Sequence, residues 1–236
     1  MPIASELRNL LRSGVHRMGE LEFQINVSNH FCIVTHWQDA GRVNEPGFGG
    51  LERHDGPSAA RDLACRTEDG QYRFNKGQTN LQRGWMMVLE SGEDLRQALD
   101  QFYPAGVGVF LAHRNDTLEV ENLRDKLQRQ SGMYRLADKI SDAGAQQLIR
   151  KICGPNHACA RRILWQIDAH TPLDDSEASR FSGIPAPLAE NEAIPLLCRE
   201  ACNFFVEECR KAAQEEMLDL NHPNTRASDR AGLRGL

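Results

Sequence analysis

The chain has 236 residues, 40% of them hydrophobic and 26% charged, with 28 Lys and Arg against 33 Asp and Glu for a formal net charge of -5. That hydrophobic share excludes a disordered chain, and no run approaches the ~20 apolar residues of a spanning helix. The acidic balance argues against a generic nucleic-acid binder. The length allows one large domain or two small ones. Early Glu6 and the lack of a long apolar core at the N-terminus argue against a signal peptide, so a cytoplasmic location is expected.

Read in chain order, the first half predicts a small α/β unit. Ser5 is placed to cap a helix whose Leu7, Leu10 and Leu11 share a face, ending near Gly14. Alternation over 21–27 and an apolar run over 31–37 predict a hairpin. Residues 38–58, rich in Gly, Pro, Asn and Asp, read as a long surface loop. Its Gly47-Phe48-Gly49-Gly50 stretch has no following Lys-Ser/Thr pair and is not a phosphate loop. Residues 72–75 and 84–90 predict strands, and 94–102 a helix. The second half reads as helical: a weak segment after Pro104, then 118–130 capped by Asp116 or Thr117, then 141–153, 158–167 and about 198–219. Residues 171–195 read as loop, and the chain from 221 onward as a disordered tail. The fold class expected is α+β, with antiparallel strands leading into a mostly helical second part.

The seven cysteines stand at 32, 65, 153, 159, 198, 202 and 209. A reducing compartment makes a disulfide framework unsuitable. Cys153 and Cys159 are separated by five residues, Cys198 and Cys202 by three. Two local pairs brought together by a fold supply the four thiolates of an iron–sulfur cluster. Gly154-Pro155 lets the chain turn after Cys153, and in a helix Cys198 and Cys202 project from one face. A thiolate at that helix's N-terminus is favoured by its dipole. Cys209 lies about 10 Å further along the helix and reads as core; Cys32 and Cys65 read as packing residues. Spacing alone leaves iron–sulfur and structural zinc near parity, since zinc knuckles favour shorter gaps than that between Cys153 and Cys159.

Arg150, Lys151, Arg161, Arg162, Arg199 and Arg210 crowd the same segments. They suit helix-end charge placement, compensation of an anionic cluster, or an anion-binding rim. His157 lies between the first two cysteines but, following Pro155-Asn156, reads as a surface histidine.

The stretch Cys153-Gly-Pro-Asn-His-Ala-Cys159-Ala-Arg-Arg-Ile-Leu-Trp165 resembles a motif in the C-terminal region of sirohydrochlorin cobaltochelatases of the CbiX type from Deinococcus-like bacteria and haloarchaea. So do Leu197-Cys198-Arg-Glu-Ala-Cys202-Asn-Phe-Phe-Val, Arg129-Gln-Ser-Gly-Met-Tyr134 and Phe102-Tyr-Pro-Ala105. The resemblance implies a stabilising domain, 1–103, and a [4Fe–4S] domain, 104–220, with Cys153, Cys159, Cys198 and Cys202 as the cluster and metal ligands. The family's chelating domain carries paired active-site histidines, whereas His30 and His36 here fall on or beside a hairpin. The expectation is that this domain is absent and that no catalytic residue can be assigned. A redox or electron-transfer module is therefore expected, linked to cobalamin and tetrapyrrole metabolism. Its expected partner is a chelatase, another tetrapyrrole enzyme or a redox protein, with no membrane and no nucleic acid. A structural zinc-bound interaction module is the alternative. A cluster enzyme ranks last, because no triad or paired-carboxylate motif is present.

Overall fold

The computed structural model describes residues 3–25, 31–65, 81–130, 139–153, 159, 161–171 and 192–221, the last with side chains through 214. The chain is α+β. Helix α1 (Ile3–Arg12) buries Leu7, Leu10 and Leu11. Because it starts at Ile3, Ser5 lies inside it and is not its cap. Gly14, at φ +102°, ends the helix, and Val15 N–H closes onto the Leu10 carbonyl at 3.1 Å.

A six-stranded mixed sheet follows in the order β4-β5-β3-β2-β1-β7. Its strands are β1 (Arg17–Met18), β2 (Leu21–Gln24), β3 (Cys32–His36), β4 (Glu52–Asp55), β5 (Trp85–Leu89) and β7 (Ala193–Ile194). The hairpin expected from the alternation is the antiparallel β2–β3 pair, with Phe23 opposite Val34. β5 pairs antiparallel with β3, while β4 joins β5 and β7 joins β1 in parallel.

β3 and β5 are buried on both faces, and their period of two explains how. Cys32, Val34, Trp85, Met87 and Leu89 point into a core under the helices. These are α1, α2 (Ala60–Cys65), α3 (Gly92–Phe102) and α4 (Gly106–Arg114). Ile33, Met86 and Val88 point the other way, onto Val43 and Leu51.

That second face corrects the expectation of a surface loop over 38–58. The segment forms two 3-10 stretches, Trp37–Asn44 and Pro46–Gly50, and then β4. Glycine makes this possible, since Gly47 and Gly49 take φ near +60° on either side of Phe48 at +55°. Arg42 ties the turn down by donating to the Gly49 carbonyl and to Asp39. α4 starts beyond the expected first position at Pro104, behind Ala105 in the left-handed region.

The second core gathers α5 (Leu123–Arg129), α6 (Asp142–Ile152), α7 (Asn203–Asn221) and the parallel pair β6 (Arg162–Ile163) and β8 (Leu197–Cys198). Three helix expectations change here. The helix over 118–130 begins only at Leu123, capped by Asn122, whose side chain accepts from Asp125 N–H at 2.9 Å. Glu121, Leu123 and Arg124 direct their N–H groups to carbonyls of Arg199, Gln166 and Ile167, which rules out an earlier start.

Residues 161–167 of the helix expected over 158–167 are β6 and irregular chain. Ile163, Trp165 and Ile167 are buried while Arg162 and Gln166 are exposed, so the period is two. Lastly, Cys198 lies in β8 and α7 starts at Asn203, so Cys198 and Cys202 do not share a helix face. The predicted strand at 72–75 and most of the 171–195 segment fall outside the described residues, as do His30, His157 and the tail from 222.

Candidate metal centre

Each of the four cysteines sits where a regular element ends. Cys153 is the C-cap of α6, its N–H donating to Ile149 O at 2.8 Å. Ser141 caps the other end of that helix, as expected. Cys159 precedes β6, and the N–H of Arg161 donates to its Sγ. Cys198 is the last residue of β8, its Sγ 3.1 Å from the Glu200 carbonyl. Cys202 stands one residue before α7. Its Sγ accepts from Phe205 N–H at 3.5 Å and its carbonyl from Val206 N–H at 3.0 Å, as a helix cap does. A sulfur at a helix N-terminus is therefore present, supplied by Cys202. Cys202 is exposed and the other three are half-buried.

Cys153 lies within electrostatic reach of Cys159, Cys198 and Cys202, and of the core residue Cys209 as well. Burial and these neighbours push its thiol well above the usual range. Burial raises Cys159 and Cys198 too, against the pull of N–H donors and of the Arg161 guanidinium. Among the six cations singled out in the sequence, Arg161 acts on both of these sulfurs, and it also reaches Tyr103 in the first core. Arg150 and Lys151 end α6, where they suit its negative pole.

Cys32, Cys65 and Cys209 are buried in apolar surroundings, as expected of packing residues. Burial pushes Cys32 and Cys209 up to about 12.

Four cysteines are the soft donor set that an iron–sulfur cluster takes, and that a structural zinc takes too. Four thiolates on one tetrahedral zinc, with bonds of about 2.3 Å, stand only about 4 Å apart. A [4Fe–4S] core needs the same four soft ligands at wider spacing, together with N–H donors to sulfur. Arg161, Phe205 and Trp165 supply or flank such donors. Of these, the sequence marks Arg161 only as one charge among six. Trp165 was legible as the end of the first cysteine motif, but not as a neighbour of Cys198.

A mixed-sheet unit followed by a helical unit presenting four cysteines from two chain segments defines an iron–sulfur protein. Two family models match consecutive stretches: the DR2241 stabilising domain over residues 5–114 and the 4Fe-4S iron-sulfur cluster binding domain over 115–211. The chain is thus a relative of a region that joins a stabilising domain to a cluster domain, and its cofactor is a [4Fe–4S] cluster. The zinc-bound alternative is not favoured.

One solved structure, DR2241 from Deinococcus radiodurans, is similar to the chain with a TM-score of 0.66 at 24% identity, covering 90% of this chain and 41% of that one. It is described as a multi-domain protein with structural similarity to chelatases and two additional novel domains. The chain thus spans 41% of that protein's length. No curated protein matches it.

Proposed function

We propose that Cys153, Cys159, Cys198 and Cys202 ligate the [4Fe–4S] cluster, and that the loaded protein transfers electrons to a chelatase or another tetrapyrrole enzyme. The observation that carries the reading is the β6–β8 pairing, which sets the segment after Cys159 beside Cys198, with Cys202 following before α7. When bound, the cluster supplies a reversible one-electron couple. Four cysteine ligands leave no iron position open to a substrate, which favours electron transfer over Lewis-acid chemistry. Cys202, the exposed member, forms the edge by which electrons enter or leave.

Seven free cysteines fit a reducing compartment, which supports a cytoplasmic location. Among the described residues no helix is long and apolar enough to cross a membrane. The link to a chelatase rests on the likeness to DR2241, with the partner acting as a separate protein.

Anaerobic reconstitution tests the ligand set. C153S, C159S, C198S and C202S are each expected to lose most of the iron and sulfide, whereas C32S, C65S and C209S keep them. Full iron content in two or more of the first four variants rejects the assignment. A loaded protein that no dithionite titration reduces reversibly rejects the electron-transfer role.

A further inference from the structure

Trp165 is among the largest fully buried side chains, 2% exposed, and packs in the second core. It lies two residues beyond Ile163, which pairs with Cys198 across β6 and β8. Leu164 N–H donates to Cys198 O at 2.9 Å, which holds the intervening backbone against the cysteine. Phe205 packs edge-on against the indole, with ring centroids 5.3 Å apart. The ring is thus held from both sides beside a candidate ligand.

An indole nitrogen is a donor only. The Trp165 Nε1–H is buried without a formed hydrogen bond. The indole nitrogen lies near the Cys198 sulfur, on the neighbouring strand, without a formed hydrogen bond to it. A neutral thiol is a weak acceptor, and the Cys198 thiol proton is turned to the Glu200 carbonyl. A thiolate bound to iron is a strong acceptor with its charge available. The buried donor therefore lacks a partner in the thiol form and gains one when Cys198 becomes a ligand.

We infer that, in the loaded protein, the Trp165 indole N–H donates to the Cys198 thiolate and raises the cluster's reduction potential. The inference rests on the ligand set proposed above. A donor on a ligating sulfur stabilises the reduced cluster more than the oxidised one, because reduction adds negative charge to the sulfurs. The N–H groups of Arg161 and Phe205 serve Cys159 and Cys202 from the main chain. Trp165 is a positioning and tuning residue that acts from a side chain, so substitution can remove it.

W165F in the full, cluster-loaded chain keeps a ring against Phe205 and deletes the donor. An anaerobic redox titration followed by electron paramagnetic resonance is expected to show reduction about tenfold less favourable, a fall of about 59 mV for a one-electron couple. One exchangeable-deuteron coupling to the reduced cluster should disappear with it. Unchanged potential and coupling, at full iron and sulfide, overturn the inference. If W165F does not hold iron, benzothienylalanine at position 165 keeps the ring shape and exchanges N–H for sulfur. Loss of the cluster or a lowered potential in that variant supports the donor; a wild-type potential overturns it. C198S separates the two levels, since a C198S protein that keeps its full cluster removes Cys198 from the ligand set and with it the premise of this inference.

Discussion

At the scale of single residues, polar groups next to the second core hold chain ends in place. Asp168 accepts from the N–H groups of His170 at 2.8 Å and Thr171 at 2.7 Å, and from Arg124 Nε at 3.3 Å. These donors draw its carboxyl down to about 2. A carboxylate whose folded-state pKa lies below its unfolded value of about 3.9 adds stability above that value and loses it as the pH falls towards 2. D168N is therefore expected to unfold at lower urea concentration than the parent at pH 7, with the gap narrowing between pH 4 and 2. Urea midpoints across that range check it.

Tyr103 offers a second test. Its buried hydroxyl accepts from Glu20 N–H at 2.9 Å, so Y103F strands that donor and should cost about 1–3 kcal/mol. The packing role of Cys32, Cys65 and Cys209 was legible because free cysteine in apolar surroundings behaves as a small hydrophobe. Arg161 could not be told from Arg162, since adjacent residues of equal charge differ only in which one the strand turns towards sulfur.

At the scale of elements, capping and periodicity decide how the cysteines are presented. α6 delivers Cys153 at its C-cap, and its start depends on Ser141 Oγ accepting from Gly144 N–H at 3.0 Å. S141A should cost about 1 kcal/mol in urea unfolding without changing the iron content of loaded protein. Phe205 is fully buried between Trp165 and the turn that holds Cys202. F205A should cost about 3–5 kcal/mol and lower cluster occupancy, read by unfolding midpoint and iron analysis.

Elements with strong local signals were legible: α1, α3, α6 and the β2–β3 hairpin each carry a clean apolar period. The residues of β6 look helical in sequence although Ile163, Trp165 and Ile167 alternate, because two arginines and an alanine before them favour helix locally. Pairing with β8 overrides that preference. β4 was invisible because its residues Glu52–Asp55 are charged or polar throughout, and only the ladder to β5 makes them a strand.

At the scale of the whole molecule, the two cores are joined through residues 192–198. Glu192 O accepts from His16 N–H at 2.9 Å, β7 lies along β1, and Ile194 and Leu196 are buried in the first core. Leu196 O then accepts from Arg162 N–H at 2.8 Å, and Leu197–Cys198 pairs with β6 in the second. Nothing in the residues around 193 announced this, since a two-residue strand carries no period of its own. Because one short stretch serves both cores, I194A should lower the stability of both by about 2–5 kcal/mol. Amide exchange in β5 and in α6 is the measurement, and protection lost in β5 alone contradicts the prediction.

The sheet's two borders are guarded unequally. β4 presents charged and polar side chains, which discourage pairing with another chain, whereas β1 is screened by the two residues of β7. That screen leads within four residues to Cys198. If Cys198 ligates the cluster, loss of iron is expected to loosen the guard on β1, and comparing the sizes of loaded and iron-free protein in solution checks it.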